Sequence, residues 1–229
     1  MLFKPSFSDK EIVKIKKFHE LVVNRRKKIK KKKTIKILGR NWIILPGISD
    51  SAGLDSQLLG KAVLKRIKKG QDVLDMGCGC GIQGILAAEK GAEVTLVDFN
   101  PKAIKCSLMN IRLHYGESSA KAIHGSLFEK INGKFDYVII NPPFRWFKPK
   151  NYLEAAGTDF NYAVLTEFFS QVRNFLRPKG RILMVFSTNG DWNFVKELIK
   201  KKKFGIKMLS STRNKEYGWK YFVIELSKN

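Results

Sequence analysis

A strand, a glycine-rich turn and a helix follow one another without interruption over residues 72–90. Residues 72–76 are an apolar run typical of a short buried strand, the sequence Gly-Cys-Gly-Cys-Gly at 77–81 forms the turn, and residues 82–90 have helical periodicity. Glycine permits a tight turn and lets a ligand approach the backbone closely. Because open parallel sheets bind ligands at the carboxyl ends of their strands, this pattern predicts an α/β fold with a ligand against the turn.

An acidic residue ends the next predicted strand. The strand over 93–97 leads into Asp98, 17 residues after Gly81, close to the roughly 20 residues that separate such a turn from its acid in dinucleotide-binding folds. A carboxylate there can accept hydrogen bonds from both hydroxyls of a ribose. Two cofactors fit this arrangement, a nicotinamide dinucleotide and S-adenosylmethionine. Asp75 favours the second, because a carboxylate before the glycines repels a pyrophosphate and helps to hold a cationic ligand.

The sequence Asn-Pro-Pro-Phe at 141–144 follows an apolar run over 135–140 that is typical of a buried parallel strand. Two adjacent prolines restrict the backbone and remove two N–H donors. The acceptors that remain are the Asn141 side-chain oxygen and the Pro142 carbonyl, and they suit a planar –NH2 group with two hydrogens to place. Phe144 offers a flat apolar face beside them. These four residues are therefore the predicted reaction site.

Together these motifs resemble those of class I S-adenosylmethionine-dependent methyltransferases that methylate amino groups. The pattern consists of Asp75-x-Gly77-x-Gly79-x-Gly81, then Asp98, then Asn141-Pro142-Pro143-Phe144. Within that class the chain is similar to the small-domain methyltransferases, which include ribosomal RNA guanine, tRNA adenine and release-factor glutamine N-methyltransferases. Residues 45–49 and 53–59 resemble the segment before the cofactor domain in the ribosomal RNA group, and the resemblance as a whole extends over about residues 45–188.

The resemblance implies a fold, a cofactor and a set of site residues. The fold is α/β and Rossmann-like, a seven-stranded mostly parallel sheet with helices on both faces and a terminal antiparallel strand, preceded by an N-terminal helix and a β-hairpin. The residues expected to bind S-adenosyl-L-methionine are Asp75, Gly77, Cys78, Gly79, Gly81, Asp98, Phe99, Ser126, Leu127 and Asn141. The residues expected to act in catalysis are Asn141, Pro142, Pro143 and Phe144.

One position departs from the family pattern. After the third strand of the domain the family usually has an acid that meets the adenine amine, and Ser126 stands there in this chain. Serine can accept the same hydrogen bond without charge. Leu127 would line the adenine pocket.

Positive charge is a second constraint on function. The formal net charge is +24, and residues 1–40 hold 12 Lys and 3 Arg against 3 acidic residues. Residues 25–33 and 200–203 are basic runs. Such runs are often solvated surface, but a net charge of this size attracts polyanions. RNA, either rRNA or tRNA, is the expected partner. A membrane surface is not, because no amphipathic anchor flanked by aromatic residues is evident.

The positions of cysteine, histidine and apolar residues indicate whether the protein binds a metal and where in the cell it is located. We expect Cys78, Cys80 and Cys106 to be reduced, without a disulfide framework. We expect no metal site, because the three histidines are scattered along the sequence and the two cysteines of the turn are too close for the usual zinc spacing. There is no run of about 18 apolar residues and no apolar signal core, so a cytoplasmic protein is expected.

The chain is expected to divide into a basic extension over 1–45 and a methyltransferase domain over 46–229. Ser8 and Glu11 form a capping box at the start of a predicted helix, and residues 34–45 predict a hairpin that turns near Gly39. Further helices are predicted over 56–68, 82–90, 101–114, 160–176 and 191–203, and strands over 72–76, 93–98, 121–125, 135–141, 181–187, 204–211 and 219–226. This alternation indicates a parallel sheet that closes with an antiparallel hairpin.

Motifs and charge together favour N-methylation of an exocyclic amine of an RNA base. The main alternative is N-methylation of a glutamine side chain on a release factor or a ribosome-associated protein, because the same four residues can hold an amide. A non-catalytic RNA-binding module and a nicotinamide dehydrogenase are further alternatives; the intact motif residues oppose the first, and the second leaves the Asn-Pro-Pro-Phe sequence unexplained. In the loop over 144–159, Trp146 and Phe147 either stack on bases or pack the loop onto the domain.

Overall fold

The structure is a computed structural model that describes residues 3–49, 53–116 and 120–229. Its α-helices are α1 (Asp9–Lys27), α2 (Leu54–Arg66), α3 (Ile82–Glu89), α4 (Pro101–Tyr115), α5 (Tyr152–Ala155), α6 (Ala163–Gln171) and α7 (Trp192–Lys201). Its strands are β1 (Lys33–Ile37), β2 (Arg40–Ile44), β3 (Asp72–Met76), β4 (Glu93–Asp98), β5 (Lys121–His124), β6 (Phe135–Ile140), β7 (Leu176–Ser187), β8 (Phe204–Arg213) and β9 (Lys220–Lys228).

Seven strands form one sheet in the order β5-β4-β3-β6-β7-β9-β8. The first five of these are parallel neighbours, and β9 runs antiparallel to both β7 and β8. The predicted α/β fold, with a mostly parallel sheet and a closing antiparallel hairpin, is confirmed. The strand order reverses direction between β3 and β6, which is the position where sheets of this kind open a crevice for a ligand.

The register of β3 and β6 determines where the two sequence motifs lie. Met76, the last residue of β3, pairs with Ile140, the last residue of β6. The two strands are parallel, so their next residues, Gly77 and Asn141, emerge side by side at the same edge of the sheet. The glycine turn and the Asn-Pro-Pro-Phe sequence are thus adjacent in space although they are distant in sequence.

The single helix predicted over 160–176 is wrong. Asn161 and Tyr162 have positive φ values of 53° and 55°, and α6 begins only after them. The Asp159 carboxylate accepts hydrogen bonds from the first N–H groups of α6, at Val164 (3.0 Å) and Leu165 (2.9 Å). At the other end a 3-10 turn leads directly into β7, which starts at Leu176 because that residue already pairs with Phe135. The sheet therefore takes residues that the sequence pattern assigned to a helix and a loop.

The N-terminal helix α1 is packed on the rest of the protein. The predicted capping box at Ser8 and Glu11 is confirmed, and the helix ends at Lys27, so the basic residues that follow lie outside it. Phe18 on its inner face contacts the rings of Tyr217 and Trp219, both at 4.7 Å between centroids. The helix therefore rests on the segment that joins β8 to β9. A domain boundary at residue 45 stays a prediction.

The loop over 144–159 is more ordered than its sequence indicates, since it contains the short helix α5. Trp146 is only 7% exposed and stacks on Phe7, with 5.2 Å between centroids and 10° between planes. Of the two roles left open for this ring, the structure shows packing of the loop onto the N-terminal segment. Phe147 is half-buried beside it, 5.2 Å away.

The predicted hairpin of β1 and β2 is confirmed, and Asn110 of α4 ties it to the glycine turn. The Asn110 side chain accepts from the Ile43 N–H (2.7 Å) and donates to the carbonyls of Ile43 and Cys80, both at 2.9 Å. Asn110 is completely buried. One amide thus holds an extension strand and the turn in a fixed relation.

Replacing Asn110 by Ala should destabilise the protein by about 2 kcal/mol, because the Cys80 carbonyl, bonded in a buried position, and the part-buried Ile43 N–H lose the Asn110 side chain as their partner. Urea unfolding followed by circular dichroism measures the change. Lys105→Ala, an exposed position on the same helix, is the matched control and should change the free energy of unfolding by less than about 0.5 kcal/mol. Equal stability of the two variants would contradict the role given to Asn110.

Candidate active site

A cleft of about 430 Å³ lies at the carboxyl edge of the sheet. The glycine turn after β3, the end of β4 and the residues after β6 form its floor. The last turns of α1, the start of α2 and the segment between β8 and β9 form its walls. The cleft therefore lies where the strand order reverses, and it is lined by both sequence motifs.

The glycines of the turn have two distinct roles. Gly77 and Gly79 line the cleft with φ values of 71° and 57°, which favour glycine. A Cβ at either position would meet no described atom within 4 Å, so the backbone is open to a ligand on that side. Gly81 precedes α3 outside the cleft lining, and a Cβ there would lie 3.0 Å from the Ser107 side chain. Gly81 thus serves close packing.

Asp98 and Phe99 lie at the end of β4 where the sequence predicts a ribose site. The two oxygens of Asp98 accept one backbone hydrogen bond each, from Gly79 (2.9 Å) and Asn100 (2.8 Å). Each oxygen keeps a lone pair for a ligand hydroxyl. Burial raises the pKa of Asp98. Phe99 is 43% exposed and lines the cleft beside it, which suits a flat aromatic ligand.

Asp75 lies beneath the glycine turn. Its Oδ2 accepts a hydrogen bond from the N–H of Gly84 at 2.8 Å. Burial raises the pKa of this carboxyl to about 7, although the hydrogen bond from Gly84 lowers it. Without a ligand, Asp75 is thus close to half ionised at neutral pH, and a cationic ligand in the cleft would favour its charged form. The open turn, Asp98, Phe99 and Asp75 together fit the sulfonium nucleoside that the sequence predicts.

Besides Gly81, two further predicted cofactor residues are outside the residues that line the cleft. Ser126 is exposed, and its N–H donates to the Glu129 carboxylate at 3.4 Å. Leu127 has a positive φ of 44° and is half-buried. Their contact with adenine stays a prediction. Cys78, also predicted, lines the cleft and is buried.

Asn141 is oriented by a residue from a different part of the chain. Its Nδ2 donates to Asp55 Oδ2 at 3.0 Å, with Ser56 Oγ at 3.4 Å. A carboxylate can only accept, so the amide must turn its –NH2 group toward Asp55. The Asn141 oxygen is thereby left as an acceptor at the cleft. Asp55 opens α2, and it was not among the predicted site residues, although it lies within the stretch that resembles the ribosomal RNA group.

The backbone after Asn141 is held from behind. The Tyr162 hydroxyl donates to the Phe144 carbonyl at 2.6 Å and accepts from the Asp191 N–H at 2.6 Å. The Phe144 ring is buried, with Phe186 and Tyr221 packed edge-on at 5.3 Å and 6.2 Å between centroids. Pro142 and Pro143 also line the cleft. The backbone that follows the predicted acceptors is therefore fixed in place at Phe144.

Within the described parts of the chain, no three His, Cys, Asp or Glu residues are grouped to hold a metal ion. All three cysteines are buried thiols. No described helix is long and apolar enough to cross a membrane.

The raised pKa of Asp75 predicts a pH dependence of stability in the protein without cofactor. The folded protein retains a proton up to about pH 7, whereas the unfolded chain releases it near 3.8. Stability should therefore fall as the pH rises through this window. Asp75→Asn stays neutral and should remove this part of the slope. Thermal unfolding between about pH 4 and pH 7 measures it, with the exposed Asp9→Asn as control. If the melting temperatures of wild type and Asp75→Asn change with pH in the same way, Asp75 is not the source of this pH dependence.

The sequence matches the family described as "Methyltransferase small domain" over residues 44–213. One relative is the "Putative protein N5-glutamine methyltransferase MJ0928" of Methanocaldococcus jannaschii, 32% identical over 158 residues that cover 64% of this chain and 76% of the relative. Another is the ribosomal RNA small subunit methyltransferase C of Haemophilus influenzae, 30% identical over 145 residues that cover 62% of this chain and 40% of the relative. The chain thus spans less than half of that second relative.

Solved structures share the fold. One is the T. thermophilus 16S rRNA N2 G1207 methyltransferase in complex with AdoMet and guanosine. It has a TM-score of 0.67 at 23% identity, and the match covers 87% of this chain and 50% of the methyltransferase chain. The E. cuniculi Mtq2–Trm112 complex, responsible for methylation of the eRF1 translation termination factor, has a TM-score of 0.57 at 20% identity, covering 77% and 96%. The chain belongs to the methyltransferase small domain family and is a class I S-adenosylmethionine-dependent N-methyltransferase.

Proposed function

We propose that this protein methylates an exocyclic amine of a base in rRNA or tRNA. The observation that carries the proposal is the orientation of Asn141, whose nitrogen is tied to Asp55 and whose oxygen remains as an acceptor in the cleft. The Pro142 carbonyl follows it on the rigid backbone. A planar –NH2 group held by these two acceptors lies at the same edge of the sheet as the glycine turn.

The two acceptors, Asn141 and the Pro142 carbonyl, would make the target amine a better nucleophile. An exocyclic amine is a weak nucleophile because its lone pair is conjugated with the ring. By accepting both N–H bonds, Asn141 and Pro142 direct the lone pair out of conjugation and stabilise the positive charge that develops on nitrogen. Bound S-adenosylmethionine would supply the methyl group from its sulfonium, and S-adenosylhomocysteine would be the leaving group as the amine nitrogen takes the methyl carbon. The amine proton leaves afterwards, so these residues need no strong base.

Charge around the cleft supports a nucleic acid substrate. Arg25 and Arg26, in the last turn of α1, line the cleft together with Arg145. The whole chain carries a formal net charge of +24, which attracts polyanions. A base within a duplex must be flipped out to enter such a cleft. A cytoplasmic location is part of this proposal, since rRNA and tRNA are the substrates.

Methylation of a protein glutamine is the second candidate. One observation favours it: the relative named as an N5-glutamine methyltransferase is matched over 76% of its length. A glutamine side chain ends in a planar amide, which presents the same two N–H donors as a base amine. A release factor or a ribosome-associated protein would then be the partner.

Changing the acceptor or its anchor should reduce turnover without loss of cofactor binding. We expect Asn141→Ala to lower kcat by about 10²- to 10³-fold, because an electrostatic stabiliser of the transition state is lost. We expect Asp55→Ala to lower kcat by about 10- to 100-fold, because the Asn141 amide can rotate. Steady-state methyl transfer gives kcat and KM for both variants, and calorimetry with S-adenosylhomocysteine checks the cofactor site.

Glu93→Ala, an exposed acid at the amino end of β4, is the matched control for Asp55→Ala and should keep full turnover. A kcat of Asp55→Ala equal to that of this control would show that Asp55 does not position Asn141. A loss confined to KM would assign both residues to substrate binding alone.

The substrate class is tested by transfer of a labelled methyl group into an extract of cells that lack the gene. We expect label that ribonuclease removes and protease does not, and digestion to nucleosides would then identify the base. Asn141→Ala in the same extract is the control for background transfer. Protease-sensitive label would overturn the RNA proposal in favour of the glutamine candidate.

A further inference from the structure

Arg145 is a buried cation without a carboxylate at ion-pair distance among the described residues, and Asp55 acts on it only from farther away. It follows Phe144 and lines the cleft, yet it is only 5% exposed. Its Nε has no hydrogen-bond partner, and no described carboxylate lies within the ion-pair distance of 4.0 Å. Burial, with the charge of Arg26, lowers its pKa to about 10, so the guanidinium is charged at neutral pH. A buried charge of this kind is costly until an opposite charge binds it.

Arg145 does not stand alone. A Cβ at Gly157 would collide with Arg145 Nη2 and would lie 3.5 Å from Arg26 Nη1, so two guanidinium groups approach the same glycine. Asn189, in the loop after β7, lines the same cleft, and neither atom of its buried carboxamide has a hydrogen-bond partner in the described chain. Two guanidinium groups together with an amide donor suit the binding of an anion that has several acceptor oxygens.

We propose that Arg145, with Arg26 beside it, binds a backbone phosphate next to the nucleotide whose amine reaches Asn141. The proposal rests on the RNA substrate proposed above and adds a specific contact to it. A planar guanidinium binds a phosphate through two parallel N–H bonds. Contacts of this type position a nucleotide and do not read its base. Arg145 would therefore fix the register of the RNA, while Asn141 and Pro142 recognise the amine.

The position of Arg145 in the sequence supports separate roles for Arg145 at the phosphate and Asn141 at the amine. Asn141, which faces the amine, and Arg145 are four residues apart on one rigid segment. The Tyr162 hydroxyl immobilises that segment through the Phe144 carbonyl. A base and its neighbouring phosphate would thus be held by a single piece of backbone, with Arg26 contributed from α1.

The test compares nucleoside 5′-monophosphates with the corresponding nucleosides, using full-length protein saturated with S-adenosylhomocysteine. The measurement is the ligand-induced rise in melting temperature, converted to affinity. We expect wild type to bind monophosphates at least about tenfold more tightly than nucleosides. Arg145→Gln should abolish this preference, and Arg145→Lys should keep part of it. Arg112→Gln, an exposed arginine of α4 outside the cleft lining, should behave as wild type.

Gly157→Ala is a second variant that does not remove the buried charge. Its added methyl group displaces the Arg145 guanidinium, so it should also reduce the preference for monophosphates, even where Arg145→Gln folds poorly. The proposal is overturned if monophosphates raise the melting temperature of the wild type no more than nucleosides do. It is also overturned if the preference for monophosphates persists in both Arg145→Gln and Gly157→Ala.

N-acetylglutamine distinguishes the other class of substrate, because it offers an amide with a carboxylate. Arg145-dependent binding of N-acetylglutamine without any preference for monophosphates would overturn the phosphate site. In the cell-extract experiment, transfer of the labelled methyl group to protein would refute the RNA substrate. If the wild type still preferred monophosphates, the phosphate site would stand. Label in RNA, with full activity of Arg145→Gln, would refute the phosphate site but not the RNA substrate.

Discussion

The parallel pairing of β3 with β6 is the constraint on which the site depends. Met76 and Ile140 end these strands in register, so the glycine turn and the Asn-Pro-Pro-Phe sequence leave the sheet side by side. The chain then continues in opposite directions, toward β4 and β5 on one side and β7, β9 and β8 on the other. The crevice between these diverging connections is a consequence of topology. The glycine turn and the Asn-Pro-Pro-Phe sequence are neighbours because of this one pairing.

Within that crevice, short polar contacts orient groups that would otherwise rotate. Asp98 is held by the backbone N–H groups of Gly79 and Asn100, and Asn141 is held by Asp55. Burial makes these contacts strong, and it also raises the pKa of Asp75 and Asp98. The ligand-free site is thus electrostatically strained by its own carboxyl groups, a local cost in stability that binding of a cationic cofactor relieves.

The N-terminal extension contributes to the cleft as well as to its charge. Phe18 of α1 packs on the segment between β8 and β9, which places the last turn of the helix over the cleft. Ser6 donates two hydrogen bonds to the Asp191 side chain, from its N–H at 2.7 Å and from its hydroxyl at 2.9 Å. The Asp191 N–H in turn donates to the Tyr162 hydroxyl that holds the Phe144 carbonyl. The segment around Ser6 is therefore coupled to the Phe144 carbonyl through a continuous series of hydrogen bonds.

Local patterns in the sequence determined the strands, the glycine turn, the position of Asp98 and the row of acceptors at Asn141 and Pro142, because each depends on periodicity or backbone restriction over a few residues. The single helix expected over 160–176 is wrong in its extent: α6 covers Ala163–Gln171, the positive φ values of Asn161 and Tyr162 precede it, and the pairing of Leu176 with Phe135 starts the next strand. Tertiary structure alone decided that Asp55, 86 residues before Asn141, orients its amide. It also buried Trp146 against Phe7 and brought Arg26 to Arg145. Such contacts join residues far apart in the chain, so they arise only when the sheet and α1 have assembled, and no local pattern encodes them.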